Sequence, residues 1–216
     1  EQELRKYGYD SILCCTGKDY SNKKKYLELL LSKRVDGVIL TGSQFVENTG
    51  SHTNDYIIDA ARDIPIVLAN GYLDAPNIYS VMCNDEEAVY NATKLLINNS
   101  HRNIVYLYTS TSYSGMNKYR GYLKAINEAG ITLPDEFHHL CGKNISHARD
   151  YLTYLYDKGM KFDAVMTSDD SIAAGAVKFA HTHGIRIPED LEVIGYNNSV
   201  LSLCTEPELT SVDSKV

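Results

Sequence analysis

Between Phe162 and Asn198 the chain reads Phe-Asp-Ala-Val-Met-Thr-Ser-Asp-Asp-Ser-Ile-Ala-Ala-Gly, continues in a helical pattern, and resumes as His-Gly-Ile-Arg-Ile-Pro-Glu-Asp-Leu-Glu-Val-Ile-Gly-Tyr-Asn-Asn. This is one β-α-β unit. Asp163–Thr167 is an apolar run of strand length, and Ser168 to Asp170 supply N-cap chemistry for a helix. Ile172, Ala173, Ala176, Val177 and Ala180 recur at helical spacing and make one face apolar. Gly184 stops the helix, Pro188 bars its continuation, and Leu191–Gly195 is the next buried strand. Both strands end in polar residues, Asp169-Asp170 and Asn197-Asn198. In a parallel α/β sheet the carboxyl ends of neighbouring strands open into the binding crevice, so an acid and an amide are aimed at one small-molecule site.

Outward from this unit the same alternation repeats. On the amino-terminal side, Asp10–Cys15 reads as a strand and Lys18–Tyr20 as the loop at its carboxyl end. Tyr26, Leu27, Leu30 and Leu31 mark a helix whose Lys23–Lys25 triplet is expected to be a solvated face. Val35–Leu40 with Thr41-Gly42-Ser43 at its tip, Ile64–Ala69 ending at Asn70-Gly71-Tyr72, and Tyr79–Cys83 read as further strands. A helix covers Asp85–Asn98, and then the series restarts: Asn103–Thr109 as a strand, Tyr119 to Ile126 as a helix, Glu136–Leu140 as a strand and 147–158 as a tyrosine-rich helix. Two series of strand–helix units imply two lobes. They are placed at residues 1–99 and 100–206, with His101-Arg102 marking the crossing and 207–216, from Pro207, returning to the first lobe.

The net charge of −7 argues against this chain gripping nucleic acid itself, because phosphate neutralisation needs a basic surface. Nothing in the sequence is a membrane-spanning apolar run. The five cysteines lack metal-ligand spacing and fit a reduced compartment, with Cys14 and Cys15 expected to alternate across a buried strand. Adjacent Asp169 and Asp170 are a poor acid/base pair, and no phosphate-binding Gly-rich loop follows a strand. Neither an enzymatic constellation nor a cofactor or metal site is therefore expected.

Asp163-Ala164, Ser168-Asp169-Asp170, Ala173-Ala174-Gly175, Gly184 to Asp190 and Val193 to Asn198 together resemble the effector-binding core of lactose/galactose-repressor-type (LacI/GalR) transcription regulators. Arg34 to Leu40, Ile64 to Val67, Ser100 to Ile104, Arg120-Gly121-Tyr122 and Pro207 to Val212 extend the likeness, in family order, over nearly the whole chain. The resemblance implies an α/β fold of two Rossmann-like lobes with parallel sheets flanked by helices, like type I periplasmic binding proteins. It also implies a fragment, lacking the family's first strand, its C-terminal segment and a helix-turn-helix headpiece that binds DNA.

The function implied is a cytoplasmic, homodimeric regulator core that binds a small effector, a sugar or sugar derivative, between lobes to alter operator affinity. A regulator controlled by a phosphorylated carrier protein and a transport-linked solute-binding protein are the alternatives. By family position, Asn70, Lys118, Asp169 and Asn197 are the effector residues. Lys118 stands where many relatives carry arginine, and Asn197 where aspartate is usual. Lysine offers a rotatable point charge in place of a planar fork, so the ligand geometry is altered. Tyr72, with Tyr113, Phe45 or Tyr196 as alternatives, is expected to supply an aromatic face. Thr41, Lys18 and Ser114, in loops at strand tips, complete the set. For Lys118 a surface lysine, and for Asp169 a simple helix cap, are the competing structural readings.

Overall fold

A computed structural model describes residues 1–17, 19–46 and 53–215. They form two compact units, Glu1–Val81 and Met82–Val216.

The first unit contains α1 (Gln2–Lys6), α2 (Tyr20–Ser32), β1 (Val38–Thr41), α3 (Asp55–Ala61), β2 (Ile66–Ala69) and β3 (Ile78–Val81). The strands form a parallel sheet in the order β1-β2-β3. Alternate residues Val38, Leu40, Ile66 and Leu68 face a core closed by Leu27 of α2 and by Tyr56, Ile57 and Ala60 of α3. Ile39, Tyr79 and Val81, on the opposite pleat, are exposed.

Three expectations fail in this unit. Asp10–Cys15 is not a strand: no neighbour pairs with it among the described residues, and Leu13 is 89% exposed. Without a ladder, an apolar run has neither backbone partners nor a face to bury. Accordingly Cys15 is exposed and Cys14 only partly covered, not two thiols in a buried strand. Lys23 is buried rather than solvated, its ammonium bonded to the Gln44 carbonyl and lying over the Phe45 ring.

The second unit runs α4 (Asp85–Asn98), β4 (Ile104–Tyr108), α5 (Tyr113–Glu128), β5 (His138–Leu140), α6 (Ile145–Asp157), β6 (Ala164–Thr167), α7 (Asp170–His183), β7 (Glu192–Tyr196), α8 (Val200–Leu203) and β8 (Thr210–Val212). Its five-stranded parallel sheet has the order β5-β4-β6-β7-β8. Chain direction across the sheet reverses at β4, whose neighbours β5 and β6 follow it on opposite sides. Both faces are covered. Val105, Leu107, Val165 and Val193 point into a core with Ala148, Leu152 and Leu155 of α6 and Ile172, Ala176 and Phe179 of α7. Ile104, Tyr106, Met166 and Ile194 point the other way, against Val89 and Leu96 of α4 and Tyr122 and Ile126 of α5. Burial on both faces is why these strands read as continuous apolar runs.

The boundary between units lies at Val81/Met82 rather than after residue 99. Helix α4, expected with the first lobe, packs along α5. Gly121 brings the two backbones so close that a Cβ there would lie 2.2 Å from the Glu86 carbonyl oxygen. His101 is not at a crossing either: it bonds Glu192 at 2.8 Å and faces Asp163 at 3.4 Å, all inside the second unit. Segment 207–216 was read as a return to the first lobe, yet β8 extends the second sheet beside β7.

Candidate functional site

The carboxyl ends of β4, β6 and β7 gather a polar cluster in the second unit. After β6 the chain turns directly into α7, and Asp169 is the N-cap: its Oδ1 accepts from the Ser171 amide at 2.9 Å and the Ser171 hydroxyl at 2.6 Å. Its Oδ2 faces away from the helix. There it accepts from the Asn197 amide at 3.2 Å, beyond the end of β7, and meets the Lys143 ammonium at 3.0 Å. The cap reading of Asp169 thus holds through one oxygen, while the other meets side chains that follow β7 and β5. Burial acts to raise the Asp169 pKa, but the Ser171 bonds and Lys143 outweigh it and hold the carboxyl below its ordinary range.

Next to Asp169, the Ser168 hydroxyl accepts from the Thr109 amide at 3.0 Å, joining the β4 and β6 tips at the point where the sheet order reverses. Open α/β sheets bind ligands at such switch points. The Ser168 carbonyl accepts from Lys118 Nζ at 3.2 Å. Lys118 is no surface lysine: it is 8% exposed, lies 3.7 Å from the Tyr196 ring centre and 3.9 Å from Asp85 Oδ1. Burial, partly offset by Asp85, lowers its pKa. Asp85, at the start of α4, accepts from the Tyr196 hydroxyl at 2.6 Å and the Cys83 thiol at 3.1 Å. Tyr196 is therefore a buried platform beneath an ammonium, not an open stacking face.

A second carboxylate braces the cluster from behind. Asp170, 1% exposed, accepts from the Ser199 amide at 2.6 Å and the Ser211 hydroxyl at 2.5 Å. It ties α7 to the chain after β7 and to β8. Gly195 makes room for it, since a Cβ there would lie 2.3 Å from Asp170 Oδ1. This bracing holds Asn197, with φ of 96°, in a position to reach Asp169.

The structure thus brings Lys118, Asp169 and Asn197 together. Ser114 stands on α5 one turn before Lys118 and is partly buried. Thr41 and Asn70 follow one another across the carboxyl edge of the first unit's sheet, where Thr41 pairs with Ala69 and the Asn70 amide donates to Val81 at 2.8 Å. Tyr72 is 47% exposed beside them in sequence. Lys18 lies outside the described residues. Sequence reasoning missed Lys143 and Asp85. Lys143 sits in the loop after β5, a position open to the same strand-tip argument. Asp85 is legible only as a helix-start acid, its partner being far along the chain. Among the described residues no group of side chains is arranged to hold a metal ion.

The family described as periplasmic binding proteins and sugar binding domain of LacI family matches residues 1–215. An HTH-type transcriptional regulator from Lachnoclostridium phytofermentans is 46% identical over the full chain, which spans 65% of that relative. The HTH-type transcriptional repressor PurR of Vibrio atlanticus is 32% identical over 98% of the chain and 62% of its own length. The chain therefore spans less than two thirds of either relative. A sugar-binding transcriptional regulator of the LacI family from Escherichia coli superposes with a TM-score of 0.82 at 26% identity, over 97% of this chain and 74% of that one.

Proposed function

The chain belongs to the family of periplasmic binding proteins and LacI-family sugar-binding domains, and we propose that it is the effector-sensing core of a DNA-binding transcription regulator. The effector is a small polyhydroxylated solute, a sugar or sugar derivative, held by Lys118, Asp169 and Asn197, with Ser114 beside them. The observation that carries the reading is the meeting of a buried ammonium, a carboxylate and an amide at the sheet's switch point.

Operator contact is assigned to a helix-turn-helix segment outside these 216 residues, a reading supported by both relatives being HTH-type regulators. The acidic balance of the chain supports the same division of labour. The regulator is assigned to the cytoplasm as a homodimer, and no described helix is long and apolar enough to cross a membrane. Control by a phosphorylated carrier protein is the competing input.

The effector acts only through differential affinity for two states. Moving an even mixture to 99:1 takes about 2.7 kcal/mol. One charge-assisted hydrogen bond made in a single state contributes roughly 1.5–3 kcal/mol, so a bond to Lys118 supplies from about half to all of that shift. A thermal-shift screen against sugars, sugar derivatives, nucleobases and a phosphorylated carrier protein tests the proposal. Ligand at a hundred times Kd adds about 2.7 kcal/mol of stability and raises the midpoint. A response to the carrier protein alone would move the regulatory input off this platform.

A further inference from the structure

Building on that sensor reading, we infer that the effector is an anionic polyol, one bearing a phosphate or a carboxylate, and that Lys143 is the residue that selects it. Both Asp169 oxygens and one Asp85 oxygen on the platform are already engaged by the protein. Asp169 receives two bonds from Ser171 on one oxygen and Asn197 and Lys143 on the other. Asp85 is buried, and its Oδ1 receives Tyr196 and Cys83. Donors remain. Lys143 is 72% exposed along its side chain and engages one partner among the described residues, although an ammonium carries three protons. Lys118 makes one conventional hydrogen bond among the described residues, to Ser168. The exposed Asn197 amide has a second N–H.

A neutral sugar brings hydroxyl protons that need acceptors, and here they must share engaged carboxylates or the single Asn197 side-chain carbonyl. An anionic oxygen brings acceptors only and matches what the platform offers. Lys143 need not leave Asp169 to hold it, because one ammonium can serve both. The residue also sits beside Asn144, the N-cap of α6, whose side chain accepts from the His147 amide. The positive end of that helix adds to the same local potential.

The test titrates the 216-residue chain with matched sets: neutral pentoses, hexoses and disaccharides, their phosphate esters and the corresponding uronates, with inorganic phosphate as a separate arm. We expect an anionic member to bind about tenfold or more tighter than its neutral parent, with the advantage falling as salt rises. Phosphate esters and uronates, titrated separately, show which anion is read. Lys143→Ala should remove the advantage of the anionic ligand over its neutral parent, and Lys143→Arg should keep most of it. Equal binding of neutral parents, or a Lys143→Ala loss shared by neutral and anionic ligands alike, overturns this inference and leaves the sensor reading standing. Tight binding of inorganic phosphate alone overturns the polyol part. Silence of the unaltered chain to every member overturns the sensor reading itself.

Discussion

Replacing Lys118 with Met keeps the stem of the side chain and deletes its charge, which separates sensing from packing. The residue is 8% exposed, and burial lowers its pKa. A folded pKa below the unfolded one means the charged lysine opposes folding, with the full stability recovered only at pH above the unfolded value. Removing it lifts that opposition. Against this, the Ser168 carbonyl loses its 3.2 Å donor and the Tyr196 ring its cation. Those losses are about 1–3 and 0.5–2 kcal/mol. Asp85 loses a neighbour at 3.9 Å but keeps the Tyr196 and Cys83 bonds. Opposing contributions of similar size leave a net stability change under about 2 kcal/mol. Effector binding has no such compensation. Losing one charge-assisted bond costs roughly 1.5–3 kcal/mol, a ten- to hundredfold weaker Kd. Urea unfolding and calorimetric titration read the two quantities separately. Undiminished affinity, or unfolding of the variant, refutes the assignment of Lys118 as a sensing group.

Further outcomes follow from the bracing around the platform. Asp169→Asn retains a good N-cap, so stability at neutral pH should change by less than about 1 kcal/mol. Its acid limb should differ, however. The depressed Asp169 pKa contributes stability above about pH 4 that is lost as pH falls through the folded value, so the variant should show a flatter loss below about pH 4 by circular dichroism. Asp170→Ala should cost about 2–4 kcal/mol by urea unfolding, because the Ser199 amide and Ser211 hydroxyl lose a buried acceptor. Gly121→Ala should cost about 2–3 kcal/mol, since its Cβ meets the Glu86 backbone at 2.2 Å and α4 must move away from α5; full stability would contradict that packing.

The second unit was legible because its inner strands β4, β6 and β7 are largely buried on both faces and helices α4 to α7 carry capping residues. Helix α4 begins at Asp85 after the Asn84 cap, and α7 ends at Gly184 with φ of 67°; both ends read correctly from the chain. Asp10–Cys15 misled because local apolarity cannot say whether a pairing strand lies alongside. Lys23 misled for a related reason: one lysine of three turns inward to a carbonyl supplied by Gln44. The lobe boundary was misplaced because α4 follows the first series in sequence, whereas its apolar face fits α5. At the site, the Asp169–Asn197 meeting was implied by two adjacent strand tips. Lys118 came from family position. Lys143 carries no periodic or motif signal; its place after the β5 tip and its 3.0 Å approach to Asp169 bring it into the site.

Isotope-edited NMR of the chain with an effector found by thermal shift tests the central claim most directly. The account predicts that the largest ligand-induced shifts fall on Ser168 to Ser171, Asn197 and the side-chain ammonium groups of Lys118 and Lys143. Shifts confined to other surfaces, with these residues unmoved at saturating ligand, would contradict it.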